Sequence, residues 1–445
     1  MAASPARAAA FAILLRVERE SSYAVELLHS DLLDGLSALD CNLTTDIVMG
    51  VLRWRSLLDA SIGGFVPVAL RKLDLEVLTA LRIGCYQLAF LGRIPGHAIV
   101  NESVELVKLA RKRSASGMVN AVLHKLANAR LNNARFGLVN SGEGLADVYA
   151  HPQWLVEKWV QQFGFDQAEH ICRYGQKVPI TALRLTSPGD EDELRKSGVE
   201  LVPGALMKSA RLVLHGDLAS TEIFRSGRVA VQDEGSQLIA ALVSSGKLIL
   251  DCCAAPGSKT AALSSAWPQA QIIATDIHPH RARLLRKLVP NSNVQVITAD
   301  AMNLPFASTF DRVLADVPCS GTGTLARNPE IKWRLQPEDI VDLQGRQIAI
   351  LNASLNHVEK SGRLVYATCS LEKEENEHVV TACLQSHPEF TIVPAQEELL
   401  KLRESGELVW AHVDQLVSGP FLRTLPGIHP CDGFFAAVLE RTVRY

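Results

Sequence analysis

Three regimes of hydrophobic spacing succeed one another along the chain. Up to about residue 130 the apolar positions recur at helical intervals. Between 74 and 91 they fall at Leu75, Val77, Leu78, Leu81, Tyr86 and Leu88, and 99–112 and 117–130 continue the pattern, as helices with one buried face require. Gly63-Gly64, Pro67 and Pro95-Gly96 break it where turns are expected. Residues 131–148, with Asn132-Asn133 and Ser141-Gly142-Glu143-Gly144, are polar and read as a linker. The stretch 150–225 mixes both periods. His151-Pro152-Gln153-Trp154 opens a helix, 178–185 and 210–214 read as strands, and 190–196 is a short helix. From 247 short apolar runs end at Asp251, Asp276, Asp300, Asp316 and close to Cys369, with helical stretches between most of them. That alternation predicts a mostly parallel sheet with right-handed crossovers. A helix over 334–360, a strand over 362–368 and late strands at 390–393 and 434–439, able to pair at an edge, complete it. The expected architecture is multidomain: all-α over 1–140, small α+β over 150–225, and α/β of Rossmann-like type over 226–445.

Composition narrows this picture. With 445 residues, 47% hydrophobic and 21% charged, the chain has ample core for about two to four domains. No apolar run approaches the roughly 20 residues of a membrane span. The first residues lack a signal-peptide pattern, so a cytoplasmic protein without membrane contact is expected. Net charge is −3, divided as +4 over residues 1–140 and −7 over the rest. The basic clusters Arg53-Trp54-Arg55, Arg71-Lys72 and Lys108 with Arg111-Lys112-Arg113 suit either solvated helix faces or a track for RNA phosphates. The nine cysteines include no C-x-x-C pair and no His cluster has ligand spacing, which argues against a disulfide framework or a metal site.

The candidate chemistry starts at Leu248-Ile249-Leu250, a short buried strand ending at Asp251. Pro256-Gly257 turns the chain, and Lys259-Thr260 opens an apolar helix. A strand, a small-residue turn and a helix start form a ligand cradle in doubly wound sheets. A P-loop would need Gly where Cys253 and Ser258 stand, and the Gly-x-Gly-x-x-Gly fingerprint is absent. The run Asp251 to Thr260 instead resembles the S-adenosylmethionine loop of the RNA (cytosine-5)-methyltransferase family. Asp276, 25 residues after Asp251, is placed to accept from ribose hydroxyls. Asp300 could accept from the adenine amino group, and Lys259 offers a cation for the methionine carboxylate or the incoming base. Leu314-Ala315-Asp316-Val317-Pro318-Cys319-Ser320-Gly321 and Tyr366-Ala367-Thr368-Cys369-Ser370 bring two cysteines to strand ends beside that loop.

Two thiols and an acid match what carbon methylation of cytosine demands. C5 is a poor nucleophile until a thiolate adds to C6. An acid near the N3 edge, Asp316 here, favours the charge that develops, and a second group must clear the C5 proton. The residues alone leave open which cysteine attacks. Together with Arg327-Asn328-Pro329-Glu330-Ile331-Lys332-Trp333 and Cys431-Asp432-Gly433-Phe434-Phe435, the motifs resemble the RNA (cytosine-5)-methyltransferase family over roughly 150–440, with its class I methyltransferase fold. In that family the Thr-Cys-Ser cysteine attacks, which implies Cys369 as nucleophile and Cys319 as the group assisting release. It implies Cys253, Ala254, Ala255, Pro256, Gly257, Ser258, Lys259, Asp276, Asp300 and Asp316 as the S-adenosylmethionine site. Arg53-Trp54-Arg55 in an early helix and His97-Ala98-Ile99-Val100-Asn101-Glu102 opening a later one are similar to the NusB-like RNA-binding module, which implies RNA contact by the basic clusters. The combination implies a monomeric enzyme forming 5-methylcytosine in 16S ribosomal RNA, at cytosine 967. The alternatives are transfer RNA or another ribosomal site, or a catalytically silent assembly factor. Retention of both cysteines and four strand-end carboxylates speaks against the silent reading. Ser258 in place of the family's commoner Gly, and Val317 in place of Ala, remove no reactive group.

Overall fold

A computed structural model describes residues 3–20, 22–129, 144–187 and 189–442. The linker expected at 131–148 lies outside the described residues up to 143; its described end carries the short helix Leu145–Val148. Contacts divide the chain into two compact units. One runs to Val178 and includes Leu325–Arg334; the other takes Pro179–Thr324 and everything from Leu335.

Among its described residues the first unit carries helices and no strand. Pro5–Glu20, Ala38–Gly63, Leu75–Phe90, Gly96–Leu109 and Ser116–Asn128 are its longer helices. Ser37 caps the second, its hydroxyl accepting from Asp40 N at 3.1 Å. Leu75–Phe90 is buried on nearly every side, as a central helix must be. Its polar positions survive burial because they are paired: Arg82 reaches both carboxylate oxygens of Asp59 at 2.7 Å, and Gln87 accepts from Arg7 Nε at 2.8 Å. Helices Gln153–Phe163 and Phe165–Gly175 also belong here.

In the second unit β1 (Thr181–Leu185), β2 (Glu200–Pro203), β3 (Ala210–His215) and β4 (Val229–Val231) make an antiparallel sheet in the order 2-3-1-4. The partition therefore differs from boundaries at 150 and 225, and polar ties explain where β1–β4 belong. Gln237, in helix Glu234–Leu242, donates to Leu183 O, and the buried Glu234 carboxylate accepts from the backbone N–H groups of Ala205, Leu206 and Met207.

The larger sheet holds β5 (Leu248–Asp251), β6 (Gln271–Asp276), β7 (Val294–Thr298), β8 (Phe310–Asp316), β9 (Val358–Thr368), β10 (Phe390–Val393), β11 (Val417–Ser418), β12 (Phe421–Thr424) and β13 (Phe434–Arg441). Its order is 7-6-5-8-9-13-12-11, with β10 paired to β13. β5 to β9 are mutually parallel and β13 is antiparallel to β9. Alternate residues of β9 enter two cores. Leu364 and Tyr366 pack with Leu250, Val313 and Phe435, and Val365 and Ala367 pack with Ile249, Leu314 and Phe434. Both faces are covered, as parallel sheets require. Chain order reverses at β5, whose neighbours are β6 and β8. A doubly wound sheet opens its ligand crevice at the carboxyl ends beside such a point.

Gly50 offers a check on the helical core, since a Cβ there would lie 2.0 Å from Tyr86 Cζ. Gly50→Ala should destabilise by about 1–3 kcal/mol in chemical denaturation. Gly63→Ala, in the same helix with open space around it, should be neutral or stabilising.

Candidate active site

At the crevice β5 delivers Asp251, and the chain then crosses the strand ends. Cys252 N donates to Leu314 O at 2.9 Å and Ala254 N to Thr275 O at 2.8 Å, so the loop rests on β8 at one side and β6 at the other. Gly257 ends it at φ +116°, where a Cβ would meet Leu285 Cδ1 at 2.5 Å and Val289 Cγ2 at 2.8 Å; only glycine suits that turn. Ser258 begins helix Ser258–Ala266. Asp251 is 1% exposed. One carboxylate oxygen accepts from Thr260 Oγ1 at 2.7 Å, while Oδ1 has no hydrogen-bond partner among the described residues. Burial pushes this carboxyl up to about 7, with the nearby Asp316 charge adding to the rise and the Thr260 hydroxyl opposing it.

Asp276 ends β6. Its Oδ1 accepts from His278 N at 2.9 Å and its Oδ2 lies 3.6 Å from Arg281, which also donates to Ala255 O. Asp300 stands two residues beyond β7 rather than at its end, and Oδ1 accepts from Met302 N at 2.9 Å. Asp251, Asp276 and Asp300 thus follow three neighbouring parallel strands. Cys253 is partly buried, Ala254 and Ala255 are buried, and Pro256 follows a cis peptide bond.

Lys259 is not a surface lysine. Its Nζ donates to Asp316 Oδ2 at 2.6 Å and lies 5.5 Å from the Phe434 ring centroid. Burial disfavours the ammonium, but the charge and hydrogen bond of Asp316, and then Cys369, outweigh it and raise the Lys259 pKa. The bridge joins the first turn of helix Ser258–Ala266 to the end of β8.

The two cysteines meet: Cys319 Sγ and Cys369 Sγ are 3.3 Å apart, across 50 residues of sequence. Their loops are interlocked. Gly323 N donates to Cys369 O at 2.9 Å and Gly433 N to Gly323 O at 2.8 Å. A Cβ at Gly323 would lie 2.2 Å from Gly433 O, so the Cys431-Asp432-Gly433 motif closes directly onto the cysteine turn. The hydrogen bond to Cys369 first, and burial second, push the Cys319 thiol well above its ordinary value. Sequence reasoning used Asp251 only as a strand end, named Phe434 only within the Cys431–Phe435 motif, and missed Gln347 and Glu375, which gather here. Nothing in an acidic run such as Glu374-Glu375-Asn376-Glu377 separates a buried carboxylate from solvated ones.

With this geometry in view, similarity to known proteins is specific. The family described as "16S rRNA methyltransferase RsmB/F" matches residues 240–440, and the NusB family matches 4–128. A Bacillus subtilis (strain 168) protein named "Probable ribosomal RNA small subunit methyltransferase B" is 30% identical over 96% of this chain and 97% of its own. The Vibrio vulnificus (strain YJ016) "Ribosomal RNA small subunit methyltransferase B" is 31% identical over 98% and 99%. The chain belongs to this family. The crystal structure of PH0851, at 23% identity, shares the fold with a TM-score of 0.79 over 99% of this chain and all of that one. This member of the RsmB/F family is therefore an S-adenosylmethionine-dependent RNA methyltransferase with a NusB domain at its N-terminal end. Among the described residues no helix is long and apolar enough to cross a membrane.

The RsmB/F member's basic clusters are partly committed to the interior, against the expectation that they lie open to RNA. Arg53 is 4% exposed and donates to Ala326 O at 2.9 Å. Trp54 stacks on Phe90 at 5.3 Å, Arg55 pairs with Glu18 at 2.7 Å, and Lys112 with Asp74 at 3.0 Å. The Arg327–Trp333 motif lies in the helical unit, not the methyltransferase one. Lys332 Nζ donates to Arg53 O, Trp333 Nε1 to Leu52 O, and Glu330 accepts from Ala24 N. Arg71, Lys72, Arg111 and Arg113 remain exposed.

The cradle fits an S-adenosylmethionine: an unpartnered buried carboxylate oxygen on Asp251, a turn with no Cβ, and strand-end carboxylates for hydroxyl donors. Asp251 also gives a pH test. Its folded pKa of about 7 exceeds the ordinary 3.8, so the protonated carboxyl favours folding below about 4, and that contribution is lost as pH rises to about 7. Asp251→Asn should therefore gain stability over wild type between pH 4 and 8, by up to about 4 kcal/mol, read as the difference in Tm without added cofactor.

Proposed function

We propose that the protein forms 5-methylcytosine in 16S ribosomal RNA, at cytosine 967, with Cys369 as nucleophile and Cys319 as the group that clears the adduct. The observation that carries this chemistry is the 3.3 Å approach of the two thiols beside the loop after β5. The 16S assignment is supported by the family description and by the names of relatives at 30–31% identity, and an RNA substrate by the NusB match.

Cys253 to Lys259 would hold S-adenosylmethionine, with Asp276 accepting from ribose hydroxyls, Asp300 from the adenine edge, and Asp316 bounding the site toward the base. When bound, the cofactor supplies an electrophilic methyl group on a sulfonium. The chain's own residues prepare the base to receive it. Cys369 Sγ adds to C6, and the displaced π-electron pair makes C5 nucleophilic while charge develops along the N3 edge. Lys259 Nζ, donating to Asp316 Oδ2 at 2.6 Å, can pass a proton through that carboxyl group to N3 and so neutralise the charge as it develops. After C5 is methylated its proton must leave before the C6–S electron pair can return to sulfur.

Cys319 suits this last task. While Cys369 is free, its hydrogen bond and charge help keep the Cys319 thiol protonated. Once Cys369 is bonded to the ring, both influences disappear and the partly buried Cys319 gives up its proton to solvent more readily, leaving a thiolate able to accept the one on C5. Reaching C6 from its face requires the cytosine to leave its stack. A 2-aminopurine placed at the target should brighten on binding, and a fall in fluorescence would oppose extrusion.

Transfer of labelled methyl to 16S RNA, with the product position mapped by bisulfite sequencing, tests the assignment. Cys369→Ala should lose about 10²–10⁴-fold in rate or more and form no covalent adduct. Cys319→Ala should trap one. Trapping by Cys369→Ala instead would reverse the roles. Methylation of transfer RNA but not 16S RNA would move the substrate, and no transfer by wild type would sink the reading.

A further inference from the structure

Glu375 is a fully buried carboxylate beside both cysteine loops, and the chemistry above makes no use of it. It is 0% exposed. Its Oε1 accepts from the backbone N of Ser320 at 2.8 Å and from Gln347 Nε2 at 2.9 Å. Its Oε2 accepts from the hydroxyls of both Ser320 and Ser370, whose oxygens are 3.0 Å apart. Gln347 Nε2 also donates to Pro318 O at 3.0 Å, and Tyr366 OH donates to the Glu375 carbonyl at 2.6 Å. Among the described residues no Lys, Arg or His forms an ion pair with this carboxylate.

That arrangement is selective. Ser320 directly follows Cys319, and Ser370 directly follows Cys369, so one carboxylate holds the residue after each thiol. A buried charge without a cation is costly unless its lone pairs are satisfied, and here four donors satisfy them. A glutamine could not replace it atom for atom. Its single carbonyl oxygen would serve at most two of the four donors, and its NH2 group would face the others. Plain fold support is the competing explanation, but β8 and β9 are already paired by their ladder up to Asp316 and Ala367. Glu375 acts beyond the ladder, where the cysteines stand.

We infer that Glu375 is a positioning residue for the two-cysteine chemistry: by fixing Ser320 and Ser370 on one carboxylate it sets the Cys319–Cys369 separation on which adduct release depends. This rests on the reading that Cys369 attacks and Cys319 clears the adduct. The Glu375 charge adds, as a smaller contribution after Cys369 and burial, to the protonation of Cys319.

The test compares full-length wild type, Glu375→Gln, Ser320→Ala and Ser370→Ala in methyl transfer to 16S RNA, with the covalent RNA–protein fraction read on denaturing gels. Glu375→Gln should lose roughly 10–100-fold in kcat, the scale of an ångström-sized misplacement. Its KM values for RNA and S-adenosylmethionine should stay within about twofold of wild type, and its adduct fraction should rise as release slows. Each serine variant should show a smaller change in the same direction. If Glu375→Gln gives no cooperative melt, the serine variants that melt like wild type decide the matter. Wild-type kcat and adduct fraction in the folded variants overturn the inference, as does a loss confined to raised KM. The parent reading fails separately: if Cys319→Ala traps no adduct, the two-cysteine roles fall whatever Glu375 does. If Cys319→Ala traps and the Glu375 and serine variants behave as wild type, only Glu375 is misassigned.

Discussion

The reversal of strand order at β5 is the constraint on which the site depends. Because β6 lies on one side of β5 and β8 on the other, the connections after β5 and β8 leave the sheet in different directions and expose a crevice between them. Lys259 and Asp316 bridge that crevice at 2.6 Å. After helix Pro337–Leu355, β9 adds its carboxyl end next to β8 and brings Cys369 to Cys319. The parallel ladder fixes the backbone up to Asp316 and Ala367, and the loops just beyond it carry the two cysteines.

Burial then differentiates chemically similar groups. Asp251 and the Cys319 thiol are both driven toward their neutral forms, Asp251 by desolvation and Cys319 by its partner thiol and then by desolvation. Lys259 stays charged because a carboxylate is within hydrogen-bond reach. Such divergence among neighbours lets one crevice hold two neutral groups and a fixed charge together.

The helical unit shows the same principle used for construction. While Arg71, Lys72, Arg111 and Arg113 stay exposed, part of its positive charge is taken inside, at Arg7, Arg53 and Arg82 and, from the distant motif, at Lys332. Their hydrogen bonds end largely on backbone carbonyls and carboxylates of that unit. Burial, with the Arg53 charge second, lowers the Lys332 pKa far below its ordinary value. Sequence proximity to the catalytic motifs says nothing about where that segment packs.

The chain's own periodicity determined the larger architecture: helical spacing before residue 130, strands ending at Asp251, Asp276 and Asp316, and the late pair β10 and β13. The three-residue β4 and two-residue β11 are too short to leave a period. The loop after β5 and the two cysteine turns stood out as motifs because the chemistry proposed for them needs particular side chains at fixed offsets. The role of Asp300 was less legible, since a capping carboxylate and a binding one look alike in one dimension. Glu375, the Lys259–Asp316 bridge, the buried Arg53 and the placement of Arg327–Trp333 came only with the tertiary structure. Each depends on which residues meet across tens or hundreds of positions, and on whether water is excluded when they do. Composition records a charge; only the folded surroundings determine whether it is solvated, paired or held in reserve beside a thiol.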